Sequence, residues 1–403
     1  MNKGFLKAGH LPTLFAAFFY FDISFMAWVI LGPLAVQIAR DLGLNAAERG
    51  FMIGLPVLAG AVLRVFNGIL VDTLKPRLAG IIGQVVVLLG LSAAWYFGVR
   101  TYSGVLLVGI VLGMAGASFA VALPLASRWY PPEHQGMALG IAGAGNSGTV
   151  FAALFAPGLA AAYGWNNVFG LVCIPLAVAL IVYLALAKDA PGAPQAKTFK
   201  EYMAVLAGGD AWWFMFFYSV TFGGFVGLAS SLSPYFVDQY GLSPIVAGYF
   251  TAACVFAGSL VRPIGGATAD RIGGVKSLSV MYTVAAIALL VVATNLPAAW
   301  MALAVFVVAM LALGMGNGAV FQLVPQRFRK EIGIMTGLVG MTGGIGGFYL
   351  ASSLGLSKQF TGGYTAGFVV FAALALLALV GLTSVKGRWR TTWGAVAVSG
   401  ARI

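Results

Sequence analysis

Twelve apolar stretches of about twenty residues each fill this sequence almost end to end: 13–37, 50–71, 78–99, 104–126, 137–162, 166–187, 212–236, 245–268, 276–295, 299–324, 333–356 and 364–385. A helix rises about 1.5 Å per residue, so each stretch can cross the roughly 30 Å of hydrocarbon in a bilayer. In lipid every backbone N–H and C=O must find a protein partner, which leaves only helices and closed barrels. Apolar runs this long and continuous are helices. The expected fold is an all-α membrane protein of twelve transmembrane helices. Composition agrees: 8% of the 403 residues are charged, whereas soluble domains carry about 25%. The first stretch is long enough to span, so it is expected to remain in the mature protein and not to be cleaved as a leader.

The net charge of +12 would suggest nucleic acid in a soluble protein. Here the basic residues sit in short loops, where they report orientation. With twelve spans both termini share one face. That face carries seventeen lysines and arginines, against four (Arg40, Arg49, Arg100 and Lys358) on the other. The expected setting is the bacterial inner membrane with both termini cytoplasmic. No nucleic-acid motif is present. Cys173 and Cys254 lie inside apolar stretches and read as small buried hydrophobes. His10 and His134 are the only histidines and have no metal-ligand spacing. No metal or cofactor is expected.

The polar segment 188–210 divides the chain into an N-terminal six-helix bundle (1–187) and a C-terminal one (211–403). The halves repeat. AGAVLRVFNGILVD (59–72) recurs as AGSLVRPIGGATAD (257–270), and LGMAGASFAVALP (112–124) as LGMGNGAVFQLVP (313–325). Parallel repeats of this kind build transporters whose site lies at the interface of the halves near the bilayer midplane.

Arg64 and Arg262 occupy the same position in that repeat, each eight residues before a helix-end aspartate, Asp72 or Asp270. Eight residues of helix rise about 12 Å, which puts each arginine near the bilayer centre. A charge there costs several kcal/mol unless it has a partner or a wet cavity. With no matching acid on either helix, two guanidiniums facing across the seam make a pocket for a planar oxyanion, which can accept paired hydrogen bonds from the guanidinium fork.

Asp22 is the one acid well inside a span. It is a proton-titrating group, a counter-ion to one arginine, or a static hydrogen-bond acceptor. Asn146 can donate to an anion or glue helices together. Tyr218 and Phe222, four apart, share a helix face and line either the cavity or the core. Glycines crowd GMALGIAGAGNSGTVFA (136–152) and GIMTGLVGMTGGIGGFYLA (333–351). In a membrane they let helices approach and slide. Gly143, Gly145, Gly148, Gly340, Gly343 and Gly344 are the gating candidates there. Asp72, Asp270 and Arg271 are expected to form ion pairs that tie the two cytoplasmic helix ends together in one state.

The twelve spans, the six-plus-six repeat and the loops after the second and eighth helices resemble the major facilitator superfamily. Within it, the GAGNSG and GMTGGIGG helices and the two membrane arginines resemble the nitrate/nitrite porter family, over almost the whole chain. The resemblance implies a secondary active transporter of nitrate and nitrite, not an enzyme, that works by alternating access as a monomer in the lipid bilayer. Arg64 and Arg262 would clamp the anion, Asn146 and Tyr218 would hydrogen-bond it, and Phe119 and Phe222 would pack against its faces. Asp22 departs from the exchanger pattern and favours proton-coupled nitrate import. Nitrate/nitrite exchange is the other mode. Oxalate or formate is the other cargo that an arginine pair would accept.

Overall fold

The structure, a computed structural model, describes residues 3–192, 198–328 and 331–394. Among the described residues all regular structure is helical. Twelve helices are long and apolar enough to span: Leu11–Leu42, Ala46–Leu74, Pro76–Phe97, Tyr102–Ser127, Met137–Tyr163, Trp165–Leu186, Gly209–Tyr240, Pro244–Ile272, Gly274–Ala293, Ala299–Arg327, Gly333–Thr361 and Thr365–Thr391. They coincide with the twelve predicted stretches, mostly running a few residues past them. An even number puts both chain ends on one face, called here the terminal face. Of the basic residues used for orientation, Lys197, Arg329, Lys330 and Arg402 lie outside the described residues, as does 193–197 of the central segment.

Four spans expected to be continuous are broken, each for a local reason. The first breaks after Trp28. Pro33 has no N–H to give Val29 O, which takes Gly32 N at 3.0 Å instead. The eighth breaks at Val261, where Pro263 likewise leaves the carbonyl of Ser259 without its helical donor. The fourth breaks at Ala117–Ser118, between Tyr102–Gly116 and Phe119–Ser127. The fifth passes through a 3-10 turn at Ala144–Ser147, in GAGNSG. Glycine lowers helix propensity at both of these breaks.

Second and eleventh spans pack along each other, as do first and seventh, and fifth and eighth. Small residues allow this. A Cβ on Gly50 would come within 2.7 Å of Gly355 Cα, and one on Gly344 within 2.7 Å of Ala61 Cβ. Toward the terminal face the helices diverge. A cavity of about 570 Å³ runs in from Asp72, Lys75, Arg128 and Asp189 to Arg64 and Phe119, with Gly333 and Gly337 along one wall.

The opposite face is shut. Arg49, at the start of the second span, makes a two-pronged ion pair with Asp238 near the end of the seventh. Tyr364, before the twelfth span, donates to Asp238 Oδ2 at 2.7 Å and accepts from Arg49 at 3.0 Å. Ala46 N donates to Gln359 Oε1 at 3.1 Å. These contacts tie the first six spans to the last six.

Candidate functional site

Helix breaks supply the first half of the site. A broken helix leaves carbonyls without intrahelical donors. Gly116 O, at the break in the fourth span, accepts from Arg64 Nε at 3.2 Å, and Ala117 O, which also takes Ala120 N at 3.0 Å, accepts from Asn67 Nδ2 at 3.3 Å. Arg64 Nη1 donates across the seam to Gly340 O on the eleventh span at 2.6 Å. Its side chain is 1% exposed. Four rings surround its guanidinium carbon, with centroids at 4.9 Å (Phe119), 5.1 Å (Trp28), 5.4 Å (Phe222) and 5.9 Å (Phe25). A desolvated guanidinium over a ring gains up to about 2 kcal/mol, which offsets part of the cost of burying the charge.

Arg262 sits directly after the break in the eighth span and is half-buried. Its Nη2 donates to Tyr218 Oη at 3.3 Å, and its guanidinium lies 5.5 Å from the Phe321 ring. The two arginines are joined by rings. Phe222, under Arg64, stacks on Tyr218 at 5.1 Å. Phe321, under Arg262, meets Tyr218 edge-on at 5.1 Å and Phe119 at 6.4 Å. Among the described residues no carboxylate pairs with either arginine. Each keeps one nitrogen without a hydrogen-bond partner: Arg64 Nη2 and Arg262 Nη1.

The structure thus brings Arg64, Phe119, Phe222, Tyr218 and Arg262 together. Asn146 and Asp22 lie on the fifth and first spans, which pack against each other at the 3-10 turn. Asn146 is fully buried with neither amide atom partnered. Asp22 accepts from Ser147 Oγ at 2.7 Å, so its carboxylate holds the 3-10 turn, and the counter-ion alternative is dropped. Close packing fixes that turn. A Cβ on Gly148 would lie 1.7 Å from Asp22 O, and one on Gly145 2.5 Å from the Phe21 ring. A Cβ on Gly343 would lie 2.8 Å from Phe222 and Tyr218, and one on Gly340 3.3 Å from Phe119. A Cβ on Gly143 would have room, meeting only Leu123 at 4.0 Å.

Asp72 accepts from Arg128 at 3.0 Å, within the first six spans, and does not reach across to the second half. Asp270 and Arg271 are exposed at the end of the eighth span. An ion pair between the halves is found on the opposite face, at Arg49 and Asp238. Sequence reasoning also missed Trp28, Phe25, Phe321 and the carbonyl of Gly340. Trp28 sits in an apolar run, where an aromatic residue is ordinary, and its indole N–H donates to Pro56 O in the second span at 2.7 Å.

A twelve-span helical bundle with an arginine pair at its seam, unpaired with any carboxylate among the described residues, and a cavity to one face has the architecture of a membrane transporter. Residues 16–351 match the model of the Major Facilitator Superfamily. A probable nitrate/nitrite transporter of Mycobacterium tuberculosis is 33% identical over 380 residues, covering 92% of this chain and 95% of that one. A nitrite extrusion protein of Bacillus subtilis is 30% identical over 357 residues, covering 89% and 90%. The partially occluded inward-open xylose transporter of E. coli superposes with a TM-score of 0.71 at 13% identity, over 94% of this chain and 98% of that one. The chain belongs to the major facilitator superfamily and, within it, to the nitrate/nitrite porter family.

Proposed function

We propose that this protein carries nitrate, and nitrite, across the bacterial inner membrane by alternating access, as a monomer with both termini cytoplasmic. The observation that carries the reading is the unpartnered nitrogen left on each of Arg64 and Arg262. A trigonal oxyanion presents flat edges to which guanidinium N–H groups can donate in pairs. Two bundles, 1–187 and 211–403, joined by 188–210, rock about the site. Bound anion neutralises two cations that otherwise repel, and this lets the halves close. Arg64 and Arg262 hold the anion, Tyr218 and Asn146 donate to it, and Phe119 and Phe222 flank its faces. The clasp of Arg49, Asp238 and Tyr364 shuts the outer mouth while the cytoplasmic cavity is open. Gly145, Gly148, Gly343 and Gly344 are the points where helices slide.

Nitrate entering a cell moves against an inside-negative potential, about 2.3 kcal/mol per charge per 100 mV. Proton-coupled import is the favoured driver, with Asp22 as the titrating group. Its bond to Ser147 ties its charge state to the turn that carries Asn146. Exchange against nitrite is the second reading, favoured by the name of the Bacillus subtilis relative. Proteoliposomes decide between them. An inward pH gradient with no internal anion should drive nitrate accumulation in the wild type, and Asp22→Asn should abolish that mode. Accumulation that requires internal nitrite and ignores the gradient establishes exchange. Competition by formate or oxalate tests the carboxylate alternative.

A further inference from the structure

Asn317 carries a second fully buried carboxamide. Like that of Asn146, it has neither its nitrogen nor its oxygen partnered, but no sequence signature pointed to it. Burying an amide with no hydrogen bond is unfavourable. An apolar residue of similar size would avoid that cost.

Its place follows from the residues on either side. A Cβ on Gly316 would lie 2.7 Å from Thr221 Cγ2 on the seventh span, and one on Gly318 2.3 Å from Arg262 O on the eighth. Successive side chains on a helix are about 100° apart, so Asn317 points into the wedge between those two spans. Phe321, four residues on, shares its face, and the Phe321 ring lies against both Tyr218 and Arg262. Asn317 is therefore one helical turn beyond that ring, toward the closed face. Polar atoms on the flanking elements also lack a partner, among them Thr221 Oγ1, on a residue 1% exposed, and Arg262 Nη1.

The internal repeat explains why only the second half can hold an amide here. In LGMAGASFAVALP and LGMGNGAVFQLVP, Asn317 falls on the position of Gly116. Gly116 is the residue whose carbonyl meets Arg64, and a Cβ there would lie 2.3 Å from the Trp28 ring. A Cβ on Gly60 would lie 2.8 Å from Trp28, and one on its repeat partner Gly258 2.9 Å from Phe225. A phenylalanine thus stands in the second half where a tryptophan stands in the first, and the smaller ring leaves space for a side chain at 317.

We infer that Asn317, with Thr221 beside it, is an anion-binding group of the second half, donating its amide N–H to the small oxyanion held at Arg262. This deepens the proposed transport function and rests on it. Nitrate then has neutral donors from both halves, Asn146 and Asn317, besides the two guanidiniums.

The test uses purified full-length protein in detergent, with nitrate as the probe and both nitrate affinity and thermal midpoint as readouts. Asn317→Leu should weaken nitrate affinity about tenfold or more, since a hydrogen bond to a charged group contributes about 1.5–3 kcal/mol, while the midpoint without nitrate stays level or rises. Asn317→Ser, which keeps a small donor and guards against a leucine that does not fit, should lie between the wild type and the leucine variant in affinity. A lower midpoint with unchanged nitrate affinity in both variants would mean that Asn317 only packs helices, and would overturn the inference. So would unchanged affinity with a raised midpoint, the result for a side chain that holds buried water. If nitrate has no effect on the wild type, the transport reading itself fails, and this inference fails with it.

Discussion

A guanidinium at mid-membrane has to be supported by something other than a carboxylate if it is to attract an anion. Arg64 is held by two backbone carbonyls and four aromatic rings. These polarise toward the cation without cancelling it. Arg262 has a phenol and one ring. Tyr218 connects the two, bonding Arg262 through its hydroxyl and stacking on the phenylalanine beneath Arg64. Tyr218→Phe removes the hydroxyl and keeps the stack. It is expected to raise the half-saturating nitrate concentration about tenfold, the worth of a hydrogen bond to a charged group, with little change in maximal rate. Initial-rate uptake over a range of nitrate concentrations checks this. The arginines were legible in the sequence because a charge inside an apolar run is rare and costly. Trp28 and Phe321 were not, because an aromatic residue in a membrane helix is ordinary and its contacts depend on packing between helices.

Helix breaks are the features of the next scale that matter most. The twelve spans could be read from the sequence because hydrophobic length is a local property. The interruptions in the first, fourth, fifth and eighth spans follow partly from Pro33, Pro263 and runs of glycine, but also from partners remote in sequence, such as Arg64 on Gly116 O and Asp22 on Ser147. The clasp was missed for a related reason. Arg49 was counted as an orientation residue, and only the tertiary fold brings it to Asp238 and Tyr364. Both charges are largely buried, with side-chain exposures of 13% and 17%. Removing one partner of such a pair strands the other charge. Arg49→Ala should therefore favour opening of the mouth on the face opposite the chain ends. A cysteine placed at Ser352, whose neighbour across the seam is Gly54, should then label with a membrane-impermeant thiol reagent several-fold faster than in the clasped protein.

At the scale of the whole molecule, the two faces are in opposite states. Contacts between halves are tight from Gly50 and Gly355 inward to Ala61 and Gly344, and they give way to a cavity beyond Arg64. Arg64 marks the changeover and already bonds the eleventh span of the other half. An anion bound there would be gripped from both halves at the point about which they must turn. The internal repeat announced this plan, since it set Arg64 and Arg262 in equivalent positions. It could not announce the departures from symmetry. Those include the unequal burial of the two arginines and the tryptophan of one half set against the phenylalanine of the other.

Calorimetric titration of nitrate into the purified protein tests the shared grip most directly. The wild type should bind one nitrate per chain. Arg64→Lys and Arg262→Lys, made separately, should each keep the fold and lose binding by more than about tenfold, because lysine keeps the charge but has no planar fork. Wild-type affinity in both lysine variants would contradict the account, since no pair of arginines could then be holding the ion.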